Sequence, residues 1–474
     1  MILRPALPAC LLVAAALAIA PAAHAEPDVY LGLNLVDPRT ETIQTGAYVV
    51  VEDGRIIEIG QGRPENSRGR MHDFTGVFAL PGLIDTHAHI SLGAARLGVD
   101  DDGAPYLAAD HRPDIVAHHA RRLLAHGVTT VRNPGGDMAH SRAYDEARAA
   151  GLPGPEALHA GEVIDRSPFP FTGLVDRPSE TRTIAEIVAE QAQGGARYIK
   201  LYESLSEEDL AEGIAEARRH GLPVIGHLSD VSWTRAAELG VDALVHMMPV
   251  SPDLLPADQR EAYVANRRPG AFAFFEWFEA VDLDSPEIDE MIRTLAREQV
   301  HVDATLVAFE AAFRGDDPAF LARDADLFHP DMLASWNEGF RFDLGWTAED
   351  YPRARAIWPK VLELTRRMHE AGVPLTLGTD MANPFIAPGR SMAREAVLHQ
   401  QAGIPVWDVL RMATSDAART LGVAERTGAL AVGQEADMVF LTADPTADLN
   451  ALTQVRAVVS DGELYDPEAL LAAQ

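Results

Sequence analysis

Short apolar runs alternate with longer amphipathic stretches through the central part of the chain. Several of the runs end in a polar residue, and the stretches between them have the spacing of helices that bury one face. Repeated units of this kind favour an α/β fold with a parallel sheet, and eight units match a (β/α)8 TIM-like barrel. The predicted strands are residues 83–87, 128–132, 157–161, 198–201, 223–227, 243–246, 300–306 and 373–380.

The two ends of the chain have a different pattern, in which short apolar runs are broken by turn residues. Residues 48–59 are predicted to form a hairpin around Asp53 and Gly54, and residues 455–465 carry a second Asp-Gly turn. Each end is too small to bury a core alone, so we expect the two to pair into one domain. The predicted organisation is a small β-sandwich from residues 26–80 and 425–474 around a barrel of residues 81–424, with insertions at about 247–299 and 310–370.

Residues 1–25 are predicted to be a signal peptide. Arg4 gives a positive start, residues 10–20 are apolar, and Ala23-His24-Ala25 is a small-residue cleavage site. Cleavage would remove Cys10, the single cysteine, so the mature chain would have neither a disulfide nor a cysteine ligand. No later apolar stretch approaches the ~20 residues that cross a bilayer. We therefore expect an exported protein, periplasmic or secreted, without a membrane segment in its mature form.

Composition limits the class of partner. The chain has 71 Asp and Glu residues against 40 Lys and Arg residues, a formal net charge of -31. This balance argues against a nucleic-acid-binding protein, whose binding surface is basic. Only two of the basic residues are lysines, Lys200 and Lys360. Since nearly all the basic residues are arginine, we expect each lysine to have a role specific to its position.

Polar side chains end several of the predicted strands. His87 and His89 are two residues apart on an extended segment, so both imidazoles face one side and could reach the same metal ion. A His-x-His pair alone is a weak signal and could be two ordinary polar residues at a strand end. His227, His246 and Asp380 end three further strands, and the C-terminal strand ends of a barrel meet at one mouth. Together these residues predict a metal site without cysteine.

Lys200 ends the fourth predicted strand. Burial would lower the proton affinity of its amine, and a neutral amine can capture carbon dioxide as a carbamate, an anionic bridge between two metal ions. The alternative is an ion pair with a neighbouring carboxylate such as Glu203. The spacing alone favours neither interpretation.

Five segments carry a more specific pattern. The first is Phe-Ala-Leu-Pro-Gly-Leu-Ile-Asp-Thr-His-Ala-His at residues 78–89, and the others are residues 127–132, 378–380, 413–419 and 427–437. Together they resemble the amidohydrolase superfamily, in its imidazolonepropionase-like and prolidase-like branch, over nearly all of the mature chain. The resemblance implies a (β/α)8 hydrolase with one or two divalent metal ions, usually Zn2+.

The resemblance also implies a role for each strand-end residue. The implied chemistry is attack on a carbonyl by a metal-activated hydroxide, with one carboxylate as general base and acid. That carboxylate is Asp380. The ligands of the more buried metal are His87, His89 and Asp380, those of the more exposed metal are His227 and His246, and the N6-carboxylated bridge is Lys200.

Three further residues are candidates for binding the substrate. Tyr202 could donate a hydrogen bond, although packing explains it equally well. Arg390 could hold a substrate carboxylate, against the simpler interpretation as a surface arginine. Asn133 stands where relatives commonly have aspartate, and it could also be a plain turn residue.

The predicted function is hydrolysis of an amide C–N bond in a dipeptide or an N-acyl amino acid. A cyclic amide of the imidazolone type is the alternative substrate, and a barrel that has lost catalysis and serves as a binding or scaffold protein is the alternative class. The aromatic stretch at residues 271–278 is expected to pack its insertion on the barrel. A wall or lid over the site and a dimer contact are its alternatives. The pattern indicates no oligomeric state.

Overall fold

The computed structural model describes residues 26–65, 69–99, 105–167 and 171–473. The predicted signal peptide, residues 1–25, lies outside the described residues. None of the helices in these ranges combines the length and the apolar character that a membrane crossing requires. The chain has mixed α/β structure with a β-rich unit, as predicted.

The strands of the described residues group into four sheets. Their bounds are β1 (Asp28–Asp37), β2 (Thr42–Glu52), β3 (Arg55–Gln61), β4 (Arg70–Asp73), β5 (Phe78–Pro81), β6 (Leu83–Asp85), β7 (Ala95–Val99), β8 (Pro105–Ala109), β9 (Val128–Asn133), β10 (Glu156–His159), β11 (Val163–Ile164), β12 (Phe171–Thr172), β13 (Val175–Asp176), β14 (Ile199–Leu201), β15 (Val224–Gly226), β16 (Ala243–Val245), β17 (His301–Asp303), β18 (Leu375–Thr376), β19 (Met438–Leu441), β20 (Val455–Ser460) and β21 (Glu463–Tyr465).

The helices fall mainly between the strands of the central part of the chain. Their bounds are α1 (Pro113–Ala125), α2 (Met138–Ala149), α3 (Ile184–Gln193), α4 (Glu207–Arg219), α5 (Trp233–Leu239), α6 (Ala257–Asn266), α7 (Ala273–Ala280), α8 (Pro286–Glu298), α9 (Leu306–Phe313), α10 (Pro318–Ala322), α11 (Pro330–Glu338), α12 (Asp350–Glu370), α13 (Arg390–Gln401), α14 (Val406–Met412), α15 (Ser415–Thr420) and α16 (Pro467–Ala472).

One eight-stranded sheet joins the two ends of the chain, in the order β21-β20-β19-β5-β1-β2-β3 with β4 also paired to β1. The ends meet in the antiparallel pair of β5 and β19, where Leu80 lies opposite Val439. The predicted hairpin is β2 and β3, and its turn residues Asp53 and Gly54 have φ of 48° and 75°, the left-handed backbone of a tight turn. Both ends contribute to one apolar cluster, which includes Tyr30, Val49, Phe74, Met438 and Phe440. The two-layer sandwich remains a prediction.

Two parallel sheets contain the eight predicted central strands. Their orders are β10-β9-β6 and β13-β11-β14-β15-β16-β17-β18. Single bridges link the two sheets at both sides, between Ala88 and Met381 and between Ala160 and Tyr198. Because all the paired neighbours run parallel, the C-terminal strand ends face one side. The fourth sheet has three strands in the order β12-β8-β7 and is separate from the other three.

Local side chains fix the helices that flank β14. Thr183 and Glu186 form a capping box at the start of α3, and Ser206 and Asp209 form another at the start of α4. Each box satisfies backbone N–H groups that the first helical turn leaves without partners. The strand that carries Lys200 therefore lies between two well-defined helices.

The predicted aromatic stretch begins just before α7 and covers most of this helix, and its largest side chains pack inward. Phe275, Trp277 and Phe278 are fully buried. The Nζ of Lys360 in α12 donates to the carbonyl oxygens of Phe278 at 2.7 Å and Val281 at 2.8 Å. The stretch therefore packs against α12 and, through Phe278 and Phe309 with ring centroids 6.3 Å apart, against α9. That this packs the insertion on a barrel remains a prediction.

Candidate metal centre and active site

A cavity of about 640 Å3 opens at the C-terminal ends of the parallel strands. Its volume is in the range of small-molecule sites. Its lining combines polar residues from the strand ends with apolar side chains from loops and insertions. The predicted site residues in the lining are His87, His89, Lys200, Tyr202, His227, His246 and Asp380.

His87 follows β6 and is 1% exposed, and neither of its ring nitrogens has a hydrogen-bond partner among the described residues. Its Nε2 lies 3.4 Å from Oδ1 of Asp380, and its Nδ1 lies 3.6 Å from Oδ2 of Asp303. Burial holds the pKa of His87 well below its ordinary value, so the ring is neutral and has a lone pair to offer. A buried polar atom without a partner points to something that binds it.

His89 offers a second lone pair next to the first. Its Nδ1 lies 3.0 Å from the carbonyl oxygen of Gly135, which places the ring proton on Nδ1 and the lone pair on Nε2. This Nε2 lies 3.5 Å from Oδ1 of Asp380. Donor atoms of His87, His89 and Asp380 all lie within 4.8 Å of one another, and in the described ranges no other His, Cys, Asp or Glu residues form such a group.

Buried hydrogen bonds hold the segments that carry these ligand candidates. Asp85 accepts from the backbone N–H of His87 at 3.0 Å, and from the N–H and hydroxyl of Thr379 at 3.0 and 2.6 Å. The backbone N–H of Asp380 donates to the carbonyl oxygen of His87 at 2.7 Å. Asp380 has a φ of 64°, a left-handed conformation that is costly outside glycine and is common at functional sites.

His246 and His227 adjoin the group of three. The ring centroid of His246 lies 4.9 Å from that of His87 and 4.5 Å from that of His227. The Nδ1 of His246 lies 2.8 Å from the hydroxyl of Thr305, which leaves Nε2 available. The Nε2 of His227 lies 3.0 Å from Oε1 of Glu203, but neither ring nitrogen has a well-aligned hydrogen bond among the described residues.

Lys200 lies on β14, lines the cavity and is 1% exposed. Within the described part of the chain its amine makes neither a hydrogen bond nor an ion pair, and the carboxylate of Glu203 approaches His227 instead. Burial, reinforced by the positive charge of Arg132, lowers the pKa of Lys200 to about 7. A substantial fraction of the amine is therefore neutral near pH 7, as carbamate formation requires.

A buried ion pair beside His87 was not singled out by the sequence analysis. Asp303, at the end of β17, is fully buried, accepts from the hydroxyl of Thr86 at 2.8 Å and pairs with Nη2 of Arg132. The Nε of Arg132 donates to the carbonyl oxygen of Thr86 at 2.8 Å. These contacts tie together the ends of β6, β9 and β17. The available signal was an acidic residue inside the apolar run 300–306 and an arginine at the end of the run 128–132.

The candidates for substrate binding fall in different places. Tyr202 lines the cavity, and its ring centroid lies 4.4 Å from that of His227. Asn133 is fully buried at the end of β9 and lies outside the lining. Its Nδ2 lies 2.8 Å from the hydroxyl of Ser91 and 3.0 Å from Nδ1 of His159. Asn133 is therefore neither at the substrate cavity nor a turn residue, because it belongs to a buried polar network.

Arg390 also lies away from the cavity. It begins α13 with its side chain 50% exposed, and its Nε lies 3.3 Å from Oδ1 of Asp324. This position, outside the cavity lining and half exposed, favours the alternative interpretation of Arg390 as a surface arginine. From the aromatic stretch, in contrast, Phe274 reaches the cavity, so this stretch supplies both packing and part of the cavity wall.

The chemistry of this group fits a divalent metal ion. Two imidazoles and a carboxylate, all buried, are the nitrogen and oxygen ligands that Zn2+ prefers in proteins. The partnerless nitrogens of His87 would gain partners on binding. His227, His246 and Lys200 line the same cavity, and the ring centroids of His227 and His246 lie 4.5 Å apart.

Comparisons with known proteins identify the family of the chain and solved structures of similar fold. The model of the amidohydrolase family matches residues 78–465. The chain is 24% identical over 421 residues to a 5'-deoxyadenosine deaminase from Methanosarcina acetivorans, covering 86% of this chain and 82% of that protein. It is 23% identical over 546 residues to an N-substituted formamide deformylase from Arthrobacter pascens, covering 91% and 96%. A solved Xaa-Pro dipeptidase with bound methionine has a TM-score of 0.66 and 20% identity, covering 93% of this chain and 100% of that one.

Proposed function

Since the chain belongs to the amidohydrolase family, we propose that it is an exported, metal-dependent hydrolase that cleaves an amide C–N bond in a dipeptide or an N-acyl amino acid. The observation that carries the proposal is the buried group of His87, His89 and Asp380 at a cavity of about 640 Å3. Relatives named as a formamide deformylase and a dipeptidase support C–N hydrolysis. The cavity volume supports a small molecule as the substrate.

The proposal includes a fold and a domain division. The eight parallel strands close a (β/α)8 barrel of residues 81–424, supported by the bridges that link the two parallel sheets at both sides. Residues 26–80 and 425–474 form the β-sandwich, supported by the pairing of β5 with β19. Residues 1–25 are removed on export. Protein recovered from the periplasm or medium should begin at Glu26. An intact Met1 there would contradict cleavage, and absence of the protein from both fractions would contradict export.

The metal site would hold one or two divalent ions, with Zn2+ the best fit to the ligands. His87, His89 and Asp380 would hold the first, and His227 and His246 a second, with N6-carboxylated Lys200 between them. A divalent cation supplies Lewis acidity, which lowers the pKa of water and polarises a carbonyl.

The remaining chemistry belongs to the residues of the chain. Asp380 would accept a proton from the attacking water and pass it to the leaving amine. Its Oδ1 accepts a hydrogen bond from Nδ2 of Asn383 at 2.8 Å, which fixes the orientation of the carboxylate. The buried pair of Arg132 and Asp303 holds the strand ends beneath His87. Phe274 and the neighbouring apolar wall would exclude water from the substrate.

Metal analysis and an amide panel test this function. Zn2+-loaded protein should release free amine from dipeptides or N-acyl amino acids, and the His89→Ala variant should lose both metal and turnover. The panel includes a cyclic imidazolone and 5'-deoxyadenosine. Turnover of either of these alone would redirect the proposal to another substrate class, and a metal-free, inactive wild-type chain would overturn it.

A further inference from the structure

Three arginines line the cavity, and two of them are already bound within the protein. Arg268 donates from Nε to Glu276 at 2.6 Å and from Nη2 to Asp350 at 2.7 Å. Arg341 donates to both carboxylate oxygens of Asp343, at 2.6 and 2.7 Å. Neither guanidinium has its planar fork free for a ligand.

Arg267 differs from both. Its guanidinium makes no hydrogen bond among the described residues, and its ion-pair partner is Asp230, 3.8 Å from Nη2 to Oδ1. The side chains are 36% and 57% exposed, and an ion pair this long and this exposed contributes little. The backbone of Arg267 is fixed, because its N–H donates to the carbonyl oxygen of Tyr263 at 2.8 Å. The residue is therefore anchored while its charged end is available.

The position of Arg267 relates it to the metal site. Asp230 lies three residues after His227 on the loop that follows β15, so Arg267 is on the side of the cavity where His227 lies. Glu203, which approaches His227, also lines this side. The carboxylate of Asp230 is the acceptor with which a ligand carboxylate must compete for the guanidinium.

Next to this charged region the cavity is apolar. Phe274 and Phe342 line it with their ring centroids 5.7 Å apart, and Val264, one turn before Arg267, is 49% exposed there. A ligand that satisfies both regions has one anionic end and an apolar group beside it. A planar carboxylate matches the guanidinium fork.

We propose that Arg267 is a specificity-determining residue that binds the free carboxylate of the amide substrate, with an apolar side chain of that substrate against the wall around Phe274. This inference rests on the proposed function and deepens it. The preferred substrates are then N-acyl amino acids and dipeptides whose C-terminal residue has an apolar side chain and a free carboxylate. The corresponding neutral C-terminal amides are disfavoured.

Binding of uncleavable analogues tests the inference apart from turnover. The probes are N-benzylphenylalanine, in which a methylene replaces the scissile carbonyl, and its N-methylamide, titrated into the full chain by calorimetry. We expect the acid to bind about 10- to 100-fold more tightly, the range for hydrogen bonds to charged groups. Arg267→Gln should weaken binding of the acid by about that factor and leave the amide unchanged, and Arg267→Lys should fall between the two.

Two further variants separate ligand binding from a structural role. Asp230→Asn removes the ion pair, so it should keep or increase the preference for the acid if Arg267 binds the ligand. If Arg267 instead acts by pairing with Asp230, Asp230→Asn and Arg267→Gln should reduce the preference equally. Arg293→Gln, at an exposed arginine of α8 that pairs with Glu290, is the matched control and should change neither affinity.

Turnover of N-benzoylphenylalanine is measured in parallel. Selective binding without turnover supports the role of Arg267 and contradicts the proposed function. Turnover without a preference for the acid, or a preference that persists in Arg267→Gln, overturns this inference while the proposed function stands. Loss of both binding and turnover in wild type overturns both.

Discussion

Asp380 belongs to the buried group that could hold a metal ion, and in the proposed function it is also the residue that moves protons. Its Oδ1 lies 3.4 Å from Nε2 of His87, and Asn383 donates to the same oxygen at 2.8 Å. Asp380→Asn keeps the shape of the side chain and the contact with Asn383, but it removes the base. We expect kcat to fall by about 10²- to 10⁴-fold in protein that holds its metal.

Asp284→Asn provides the control for this substitution, because the side chain of Asp284 is 94% exposed and far from the cavity lining. Metal content is measured for both variants. An Asp380→Asn protein that holds its metal and keeps more than a tenth of the wild-type kcat would contradict the assignment of Asp380 as general base.

Lys360, the second lysine of the chain, has a structural role at the end of α7. Its Nζ donates to the carbonyl oxygens of Phe278 and Val281, at the end of α7, where the last carbonyls of a helix have no partners of their own. Lys360→Met removes both bonds while keeping the apolar stem. We expect a loss of about 1–3 kcal/mol in the free energy of unfolding, measured by urea denaturation.

The control is Arg297→Met on α8, where the arginine is 56% exposed and pairs, among the described residues, only with the adjacent Glu298. Such a surface substitution should change stability by less than about 0.5 kcal/mol. Equal stability of Lys360→Met and Arg297→Met would show that the α7 contact contributes nothing measurable.

Single residues divide into those that local sequence could locate and those that it could not. His87, His89 and Asp380 were predictable because each ends an apolar run, and parallel strands bring such ends together. Arg390 was not, because its direction depends on how α13 begins after the loop that follows β18. Arg267 carries no local pattern at all, since its importance arises only from comparing its partners with those of the other arginines in the cavity.

Among the elements, α9 connects the helical layer to the metal site. Glu395 of α13 is fully buried and accepts from the backbone N–H groups of Leu306 and Val307, at 2.9 and 2.8 Å. These N–H groups belong to the first turn of α9, directly after Thr305, whose hydroxyl contacts His246. Glu395 therefore fixes the helix start that positions His246.

The protonation of Glu395 predicts a pH dependence of stability. Burial raises the pKa of Glu395 from 4.5 to about 8, so between these values the folded chain holds a proton that the unfolded chain releases. The contribution of this group is therefore greatest below about pH 4.5 and is lost as the pH rises through about 8. The side chain of the Glu395→Gln variant cannot ionise. Wild type should therefore lose free energy of unfolding relative to this variant as the pH rises from 5 to about 8.

Urea unfolding of both proteins at several pH values measures this shift. Glu290→Gln, at an exposed carboxylate of α8, should give a difference from wild type that is flat over the same range. A flat difference for Glu395→Gln as well would mean that Glu395 is ionised throughout.

The same region shows where the prediction of elements failed. Residues 300–306 were predicted to be one strand, but β17 ends at Asp303 and α9 begins at Leu306. Thr305 has a φ of 45°, which turns the chain between them. Periodicity cannot separate a buried strand from a buried helix in a short apolar run. The first N–H groups of α9 donate to the side-chain carboxylate of Glu395. Because Glu395 is about 90 residues away in sequence, local patterns could not predict this contact.

At the scale of the whole molecule, the site depends on contacts between distant parts of the chain. Asp85 and Thr379 are 294 residues apart and share two hydrogen bonds, and the two termini share a sheet. The strand order was predictable because parallel units in sequence become neighbours in space. The shape of the cavity was not, since the insertions that line it have no repeating pattern.

Metal removal should therefore affect the stability of the whole fold. The chain buries His87 with no partner for either ring nitrogen among the described residues, and a ligand that binds only the folded state stabilises it by about 2.7 kcal/mol at a concentration of 100 times its Kd. We expect dialysis against a chelator to lower the midpoint of thermal unfolding and abolish turnover. Added Zn2+ should restore both.

Two histidine variants test whether the effect of the chelator on thermal unfolding arises from the group formed by His87, His89 and Asp380. His87→Ala should unfold at the same temperature with and without the chelator, because it has lost the buried ligand. His111→Ala changes an exposed histidine that stacks on His140 at 4.4 Å and lies outside the cavity, so it should keep the full chelator-dependent shift. If the shift persists in His87→Ala, the stabilising metal binds elsewhere in the chain, and the group formed by His87, His89 and Asp380 is not the site that couples metal binding to folding.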